Sequence, residues 1–420
     1  MKITPRVVEI NTNISYKLRI KNITNIKNIE SINVFSKSDY FHNETVDFII
    51  DNNDIIFNFK MIHLGEFVVK VNFNYKESKQ INLYCLEKDL SSKIPLKGDL
   101  HMHSIYSDGK RTPFAMSLAS LEAGMDFISI TDHDNYDGSL EAIEKVKEHN
   151  IDLIVLPGEE VSVGKGDTTL SKGNGHMLSI NARKSIEDQR KDDKLYEKEL
   201  KDISEKLEKE NLHSSINPLH YARNIWAINK IKEANGIAIL CHPHWIYYDE
   251  KYHLHQAIYK VMLKSSKIDA VEVIGDIDKI EECNNLTYLS YLQTSNKYKK
   301  LAPIGNTDAH DSNHDMGKRY SIVFVDEKNI NGVVEGIKKA LSVAVLKRNE
   351  SESQVIAEEN LASYGLFLIN EYFPKHEKLR YRLSRLHLDE LINNYDFSRK
   401  INNTKFKLEA YENSFFGKKV

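Results

Sequence analysis

Apolar and polar positions along this chain keep time in three different ways. Up to about residue 92 they alternate with period two, the spacing of a half-buried strand. "DFIIDNNDIIFNFK" sets two β-branched and aromatic runs around Asp51-Asn52-Asn53-Asp54, which predicts a hairpin. "EFVVKVNFNYK" and "INLYCLE" add further strands, so residues 1–92 are expected to form a small antiparallel, Ig-like β-sandwich. No cluster of ligand-type residues and no exposed aromatic cluster stands out in that stretch.

From residue 93 to about 350 the pattern becomes continuous apolar runs separated by helical stretches: "DFISITDH", "IDLIVLPGEE", "GIAILCHPH", "IDAVEVIG", "KLAPIGNTDAH" and "YSIVFVD". Fully apolar strands alternating with helices predict an α/β fold, a parallel sheet covered by helices, open or closed into a barrel. A charged stretch near 184–222 breaks the rhythm. Leu200, Ile203 and Leu207 fall at helical spacing there, so an inserted, exposed amphipathic helix is expected. After 350 the alternation stops, and residues 351–420 read as a helical extension of two helices, the second opened by Pro374. Arg380, Arg382 and Arg385 are expected on its solvated face, with a homo-oligomer contact as the alternative.

Composition narrows the function classes. The 420 residues carry a formal net charge of −3, which gives no broad basic face for nucleic acid. Three cysteines, Cys85, Cys241 and Cys283, are too few and too scattered for a disulfide framework, which suits a reducing compartment. No signal-peptide pattern or membrane-length apolar run occurs, so the expectation is a cytoplasmic protein with no membrane partner.

The chemistry lies at the edges of the apolar runs. His101 and His103 with Asp108, Asp132-His133-Asp134, Glu159 and Glu160, His176, His242 and His244, and Asp308 and His310 occupy six successive stations. In a β/α barrel the C-terminal strand ends share one mouth, and five stations follow their runs into it. His176 precedes its run, so the fold must be irregular there. Imidazoles and carboxylates crowded together need positive charge between them, which divalent ions supply. Strand alternation turns Glu159 away from whatever Glu160 faces, and by the same reasoning turns Cys241 away from His242 and into the core.

"DLHMHSIYSDG", "TDHD", "PGEEVS", "GHML", "HPH" and "NTDAH" resemble, station by station, the polymerase and histidinol phosphatase (PHP) superfamily, with the carbaryl-hydrolase-like (CehA/McbA) branch the nearest in look. The resemblance covers about residues 97–350. It implies a distorted (β/α)7 barrel with two or three divalent metal ions, Zn, Mn or Fe. His101, His103 and Asp308 would hold the first, Glu160 would bridge to a second held by His176 and His242, and Asp108, His133 and His310 would hold a third. Asp108 stands where some relatives have histidine, giving a harder ligand set. Such a site implies hydrolysis of a small phosphate ester by a hydroxide bridging the ions. A carbamate or amide hydrolase on the same site, and a non-catalytic PHP module, are the alternatives.

Asp308 and His244 are the candidate catalytic residues, His244 as proton donor to the leaving group or as an orienting residue. Arg319, Trp245 and Lys172 are candidates for substrate binding. A surface salt bridge for Arg319 and a solvated loop for Lys172 are the plain alternatives. Glu272, at the end of "AVEVIG", either supports the metal shell or is a buried, hydrogen-bonded acid.

Overall fold

The computed structural model describes residues 1–20, 26, 28–74, 76–164, 173–246, 251–275, 280–312, 316–349 and 351–417. They form two compact units, one of residues 1–93 with 359–420 and the other of residues 94–358.

In the first unit the period-two segments form a four-stranded and a five-stranded sheet. The hairpin at Asp51–Asp54 forms with Phe48–Asp51 against Asp54–Lys60, and Asn52 and Asn53 take the positive φ that a tight two-residue turn requires. Tyr16, Leu18 and Phe57 of one sheet and Val34, Val69 and Leu83 of the other belong to a single buried cluster. Tyr40 and Phe41, 94% and 90% exposed, show that this unit does present aromatic surface. The C-terminal segment holds three helices, Glu359–Glu371, Phe373–Asn393 and Ser398–Phe416, one more than its pattern predicts. Asn394, at φ 53°, ends the second of them, in the left-handed conformation that stops helices. Arg382 and Arg385 are exposed, but Arg380 is buried.

The second unit builds mixed sheets of six and five strands. Parallel pairing joins Ile94–Asp99, Phe127–Ile128 and Ile154–Val155 in one, and Ile237–Leu240, Ala270–Ile274 and Ala302–Gly305 in the other. Helices between them are cued locally. Thr112 accepts a hydrogen bond from Ala115 N at the start of Pro113–Glu122, and Asn217 caps Pro218–Glu233; proline follows each cap.

Pairing departs from the all-parallel expectation at several strands, and two of these departures matter for the site. His176–Ile180 runs antiparallel to Gly158–Ser162 and to Ile237–Leu240, with His176 opposite Ser162. Its first residue therefore lies where its neighbours end, which is why a histidine preceding its run still reaches the mouth. Arg319–Val325 is likewise antiparallel to Ile94–Asp99, Ser321 facing Gly98, so Arg319 lies at the end of the sheet that carries Asp99. The charged insertion forms a helix, Asp193–Leu207, whose buried Tyr196, Leu200 and Leu207 join a core cluster with Trp226 of the next helix. Among the described residues no helix is long and apolar enough to cross a membrane.

Candidate metal centre

Glu160 organises the site. It sits in Gly158–Ser162, fully buried, and its two oxygens face different sets of imidazoles. Oε1 lies 2.8 Å from both His176 Nδ1 and His242 Nε2. Oε2 lies 3.1 Å from His101 Nε2 and 3.2 Å from His103 Nε2 and His133 Nδ1. Asp308 Oδ1 closes the second set, 3.2 Å from His101 Nε2 and 2.9 Å from His103 Nε2. Beside it His310 Nε2 and His133 Nε2 lie 3.2 and 3.8 Å from Asp108 Oδ2.

Ligand atoms within 4.8 Å of one another fall into overlapping groups: His101, His103, Glu160 and Asp308; His176, His242 and His253; and His103, Asp108, His133 and His310. The nine residues expected as ligands thus fall into these overlapping groups, with Glu160 facing imidazoles on both of its oxygens. His253 joins them unannounced, its ring 4.3 Å from that of His176. The signal was there in "YHLHQ", a third His-x-His pair, whose other member His255 caps the following helix.

Alternation along the strand holds at Glu159. Its carboxylate turns from the cage and accepts hydrogen bonds from Ser185 Oγ (2.9 Å) and Ile186 N. Burial pushes that carboxyl up to about 7. Alternation fails at Cys241, whose Sγ lies 3.5 Å from Glu160 Oε1 and belongs to a further group with His101 and His242. The cause is His242, at φ 26°. A left-handed residue breaks the period of two, so both Cys241 and His242 face the carboxylate. Asp308 (φ 52°) and Asp134 (φ 48°) share this backbone region, which stores about 1–3 kcal/mol per non-glycine residue and concentrates at functional sites.

The same bend moves His244. A turn closed by Trp245 N on His242 O (3.0 Å) sets the Trp245 ring 5.5 Å from that of His242. His244 instead is buried, Nδ1 2.8 Å from Thr287 Oγ1, its ring edge-on to Tyr252 and Tyr259. Burial pushes its imidazole down to about 4. Trp245 therefore lies beside the His176, His242 and His253 rings, whereas His244 is held by Thr287 and against Tyr252 and Tyr259. Arg319 is buried at the adjoining strand end, and Lys172 lies outside the described residues.

Surrounding groups fix the cage. Glu272 Oε2 takes hydrogen bonds from His101 Nδ1 and Asn306 Nδ2, both 2.9 Å, and Oε1 takes one from His242 N (3.2 Å). With Nδ1 carrying the proton, the His101 Nε2 lone pair points at Glu160 and Asp308. Arg190, from the charged insertion, donates to Asp134 Oδ1 (2.8 Å) and Ser162 O (2.6 Å). It thus ties the segment bearing His133 to the strand bearing Glu160. The carboxylates of Asp308, Glu160 and Glu272 hold the His101 imidazole well above its usual range despite the opposing effect of burial. Glu160 lies well below its own, since His133, His101 and His176 outweigh burial.

The donor set fits divalent ions. Without an ion, each of the five imidazole nitrogens around this one carboxylate would have to present an N–H to it, which for His101, whose Nδ1 already donates to Glu272, requires a second proton. With cations between them, neutral imidazoles and ionised carboxylates all serve as lone-pair donors.

Residues 99–303 match the PHP domain family; Asp308 and His310 lie just beyond that span. A 5'-3' exoribonuclease of Haemophilus influenzae is 30% identical over 154 residues, covering 32% of this chain and 52% of the relative. The chain thus spans about half the length of that curated relative. A two-domain Bacteroides vulgatus protein containing a predicted PHP-like metal-dependent phosphoesterase shares 18% identity at a TM-score of 0.43, over 66% of this chain and 71% of that one. An amidohydrolase from Chromobacterium violaceum, with bound sulfate and no metal, shares 18% at 0.34, over 52% and 89%. Residues 99–303 are thus similar to the PHP domain family, and the motif stations of that stretch gather about Glu160.

Proposed function

We propose that the chain is a metal-dependent hydrolase of phosphate esters. The observation that carries this reading is the shared carboxylate of Glu160, with two imidazoles on one oxygen and three, plus Asp308, about the other. His101, His103 and Asp308 would hold one divalent ion with Glu160, and His176 and His242, joined by His253, a second. Asp108, His133 and His310 would hold a third. Such ions supply Lewis-acid polarisation of a phosphoryl oxygen and activation of water at neutral pH.

The chain's own residues do the rest. Glu272 keeps the His101 proton on Nδ1, and Asn306 holds Glu272 in turn. Trp245 walls the cage on the side of His176, His242 and His253 and excludes water there. Arg319 offers a cation for a phosphoryl oxygen.

A small phosphoester is the favoured substrate class. Similarity to the Haemophilus influenzae exoribonuclease favours a phosphodiester of a short oligoribonucleotide as the second reading. Metal-loaded protein should be assayed on aryl phosphomonoesters, aryl phosphodiesters, a 5'-phosphorylated oligoribonucleotide and aryl carbamates. Phosphoester hydrolysis that a chelator abolishes is expected. Turnover of carbamates alone would overturn the proposal.

A further inference from the structure

The first unit carries a ligand group of its own, one that its sequence pattern conceals. Asp39 and His42 lie in the loop between strands Ile29–Ser36 and Asn43–Val46. His63 lies in the crossover from Asp54–Lys60, of the four-stranded sheet, to Gly65–Phe73, of the five-stranded one. Twenty-odd residues separate them along the chain. One ligand atom from each nevertheless lies within 4.8 Å of the others.

The geometry suits a cation. His63 Nε2 is 3.6 Å from Asp39 Oδ2, and a tetrahedral zinc ion with bonds of about 2.0–2.1 Å sets its ligand atoms about 3.4 Å apart. The His42 and His63 rings meet edge to face, with centroids 5.2 Å apart. Asp39 Oδ1 is already used, accepting from Phe41 N at 3.0 Å, which leaves Oδ2 turned to His63. The loop is braced by His42 N on Asp39 O (3.2 Å) and Ser36 N on His42 O (3.3 Å).

An independent observation comes from His42. Its side chain is only 9% exposed, wedged edge-on between Phe59 and Phe67. Its Nε2 is shut off from solvent with no hydrogen-bond partner among the described residues. Glu44 Oε1, at 3.7 Å, is beyond hydrogen-bond reach. A buried ring nitrogen left without a partner is destabilising, and a bound ion offsets that cost.

We propose that Asp39, His42 and His63 form a second, separate site for a zinc-type divalent transition metal, which ties the 37–42 loop to the inter-sheet crossover. Two imidazoles and one carboxylate select a borderline cation over magnesium or calcium. Three protein ligands leave a fourth position, with Glu44 Oε1 3.7 Å from His42 Nε2.

The test is zinc stoichiometry of the full chain after saturation and dialysis, in the wild type and in His63→Ala. The side chain of His63 is 41% exposed, so its truncation spares the core. The variant should retain one zinc fewer per chain and hydrolyse phosphoesters at an unchanged rate. Its unfolding temperature should rise less on adding zinc than that of the wild type. Asp39→Asn, which keeps the shape of the loop, should release the same ion at least about tenfold more readily. Equal zinc content in wild type and both variants would overturn the proposal. So would loss of hydrolysis with the zinc, because the ion lost would then be one serving the Glu160 cage.

Discussion

Replacing Glu272 by glutamine tests whether the cage depends on the orientation of His101. The carboxylate accepts three hydrogen bonds: two at Oε2, from His101 Nδ1 and Asn306 Nδ2, and one at Oε1, from His242 N. A glutamine amide must place its NH2 group at one of these positions. At Oε2 it would meet two donors. His101 could then accept only by moving its proton to Nε2, the nitrogen that faces Glu160 and Asp308. At Oε1 it would meet the His242 N–H alone, so this placement wins. The variant keeps the His101 tautomer but turns a charge-assisted bond into a neutral one and loses the bond to His242. Charged bonds contribute about 1.5–3 kcal/mol and neutral ones about 0.5–1.5, so the loss is about 1–2 kcal/mol, or roughly 5–30-fold in affinity for the bound ion. Chelator-competition titration of zinc or manganese against wild type, Glu272→Gln and Glu272→Ala would measure it, with Ala weaker than Gln. Unchanged affinity in both variants would refute the reasoning, since His101 would then not need Glu272 to present its lone pair.

Further outcomes follow from the same geometry. Truncating His253 to alanine should weaken metal retention on the Oε1 side of Glu160 by about 10–100-fold, read as loss of one ion in elemental analysis at limiting metal. Asp108→Ala should remove the third ion while leaving the other two, and lower kcat by about 10²–10³-fold if that ion steadies charge on the substrate. Arg190→Ala removes the hydrogen bonds to Asp134 and Ser162 O, while Asp134 keeps that from Ser162 N, and should destabilise the fold by about 1–3 kcal/mol in denaturant titration. Glu159 titrates in the folded chain at about 7 against its ordinary 4.5. The native state therefore binds more protons between those values, and stability falls as pH rises from about 4.5 to 7, by up to about 3 kcal/mol. Glu159→Gln should flatten that part of the pH dependence in chemical denaturation; an unchanged slope would show that Glu159 is not its source.

Much of the cage was legible in the chain because its ligands sit at the edges of apolar runs, where strand ends must lie. Alternation along a regular strand put Glu159 and Glu160 on opposite faces, and the register of the resemblance, fixed by Ser162, pointed to Glu160. Cys241 and His244 could not be placed by alternation: the positive φ of His242 shifts the register of everything after it, and histidine gives no sequence cue for that conformation. His176 looked misplaced because nothing local says that a strand runs antiparallel. Arg190 and the Asp39, His42 and His63 group were hidden for a simpler reason. Their partners come from segments that only tertiary packing brings together, and single histidines in loops carry no periodic signal. The third C-terminal helix, Ser398–Phe416, was masked by its charge, with Ile401, Leu408 and Phe415 its widely spaced apolar contacts.

The central claim, that Glu160 bridges bound ions, is open to anomalous diffraction from crystals of the full chain grown with zinc or manganese. The account predicts one peak among His101, His103, Asp308 and Glu160 Oε2, a second among His176, His242 and Glu160 Oε1, and loss of both in Glu160→Gln. Crystals soaked to saturation that show no anomalous peak within reach of Glu160 would contradict it.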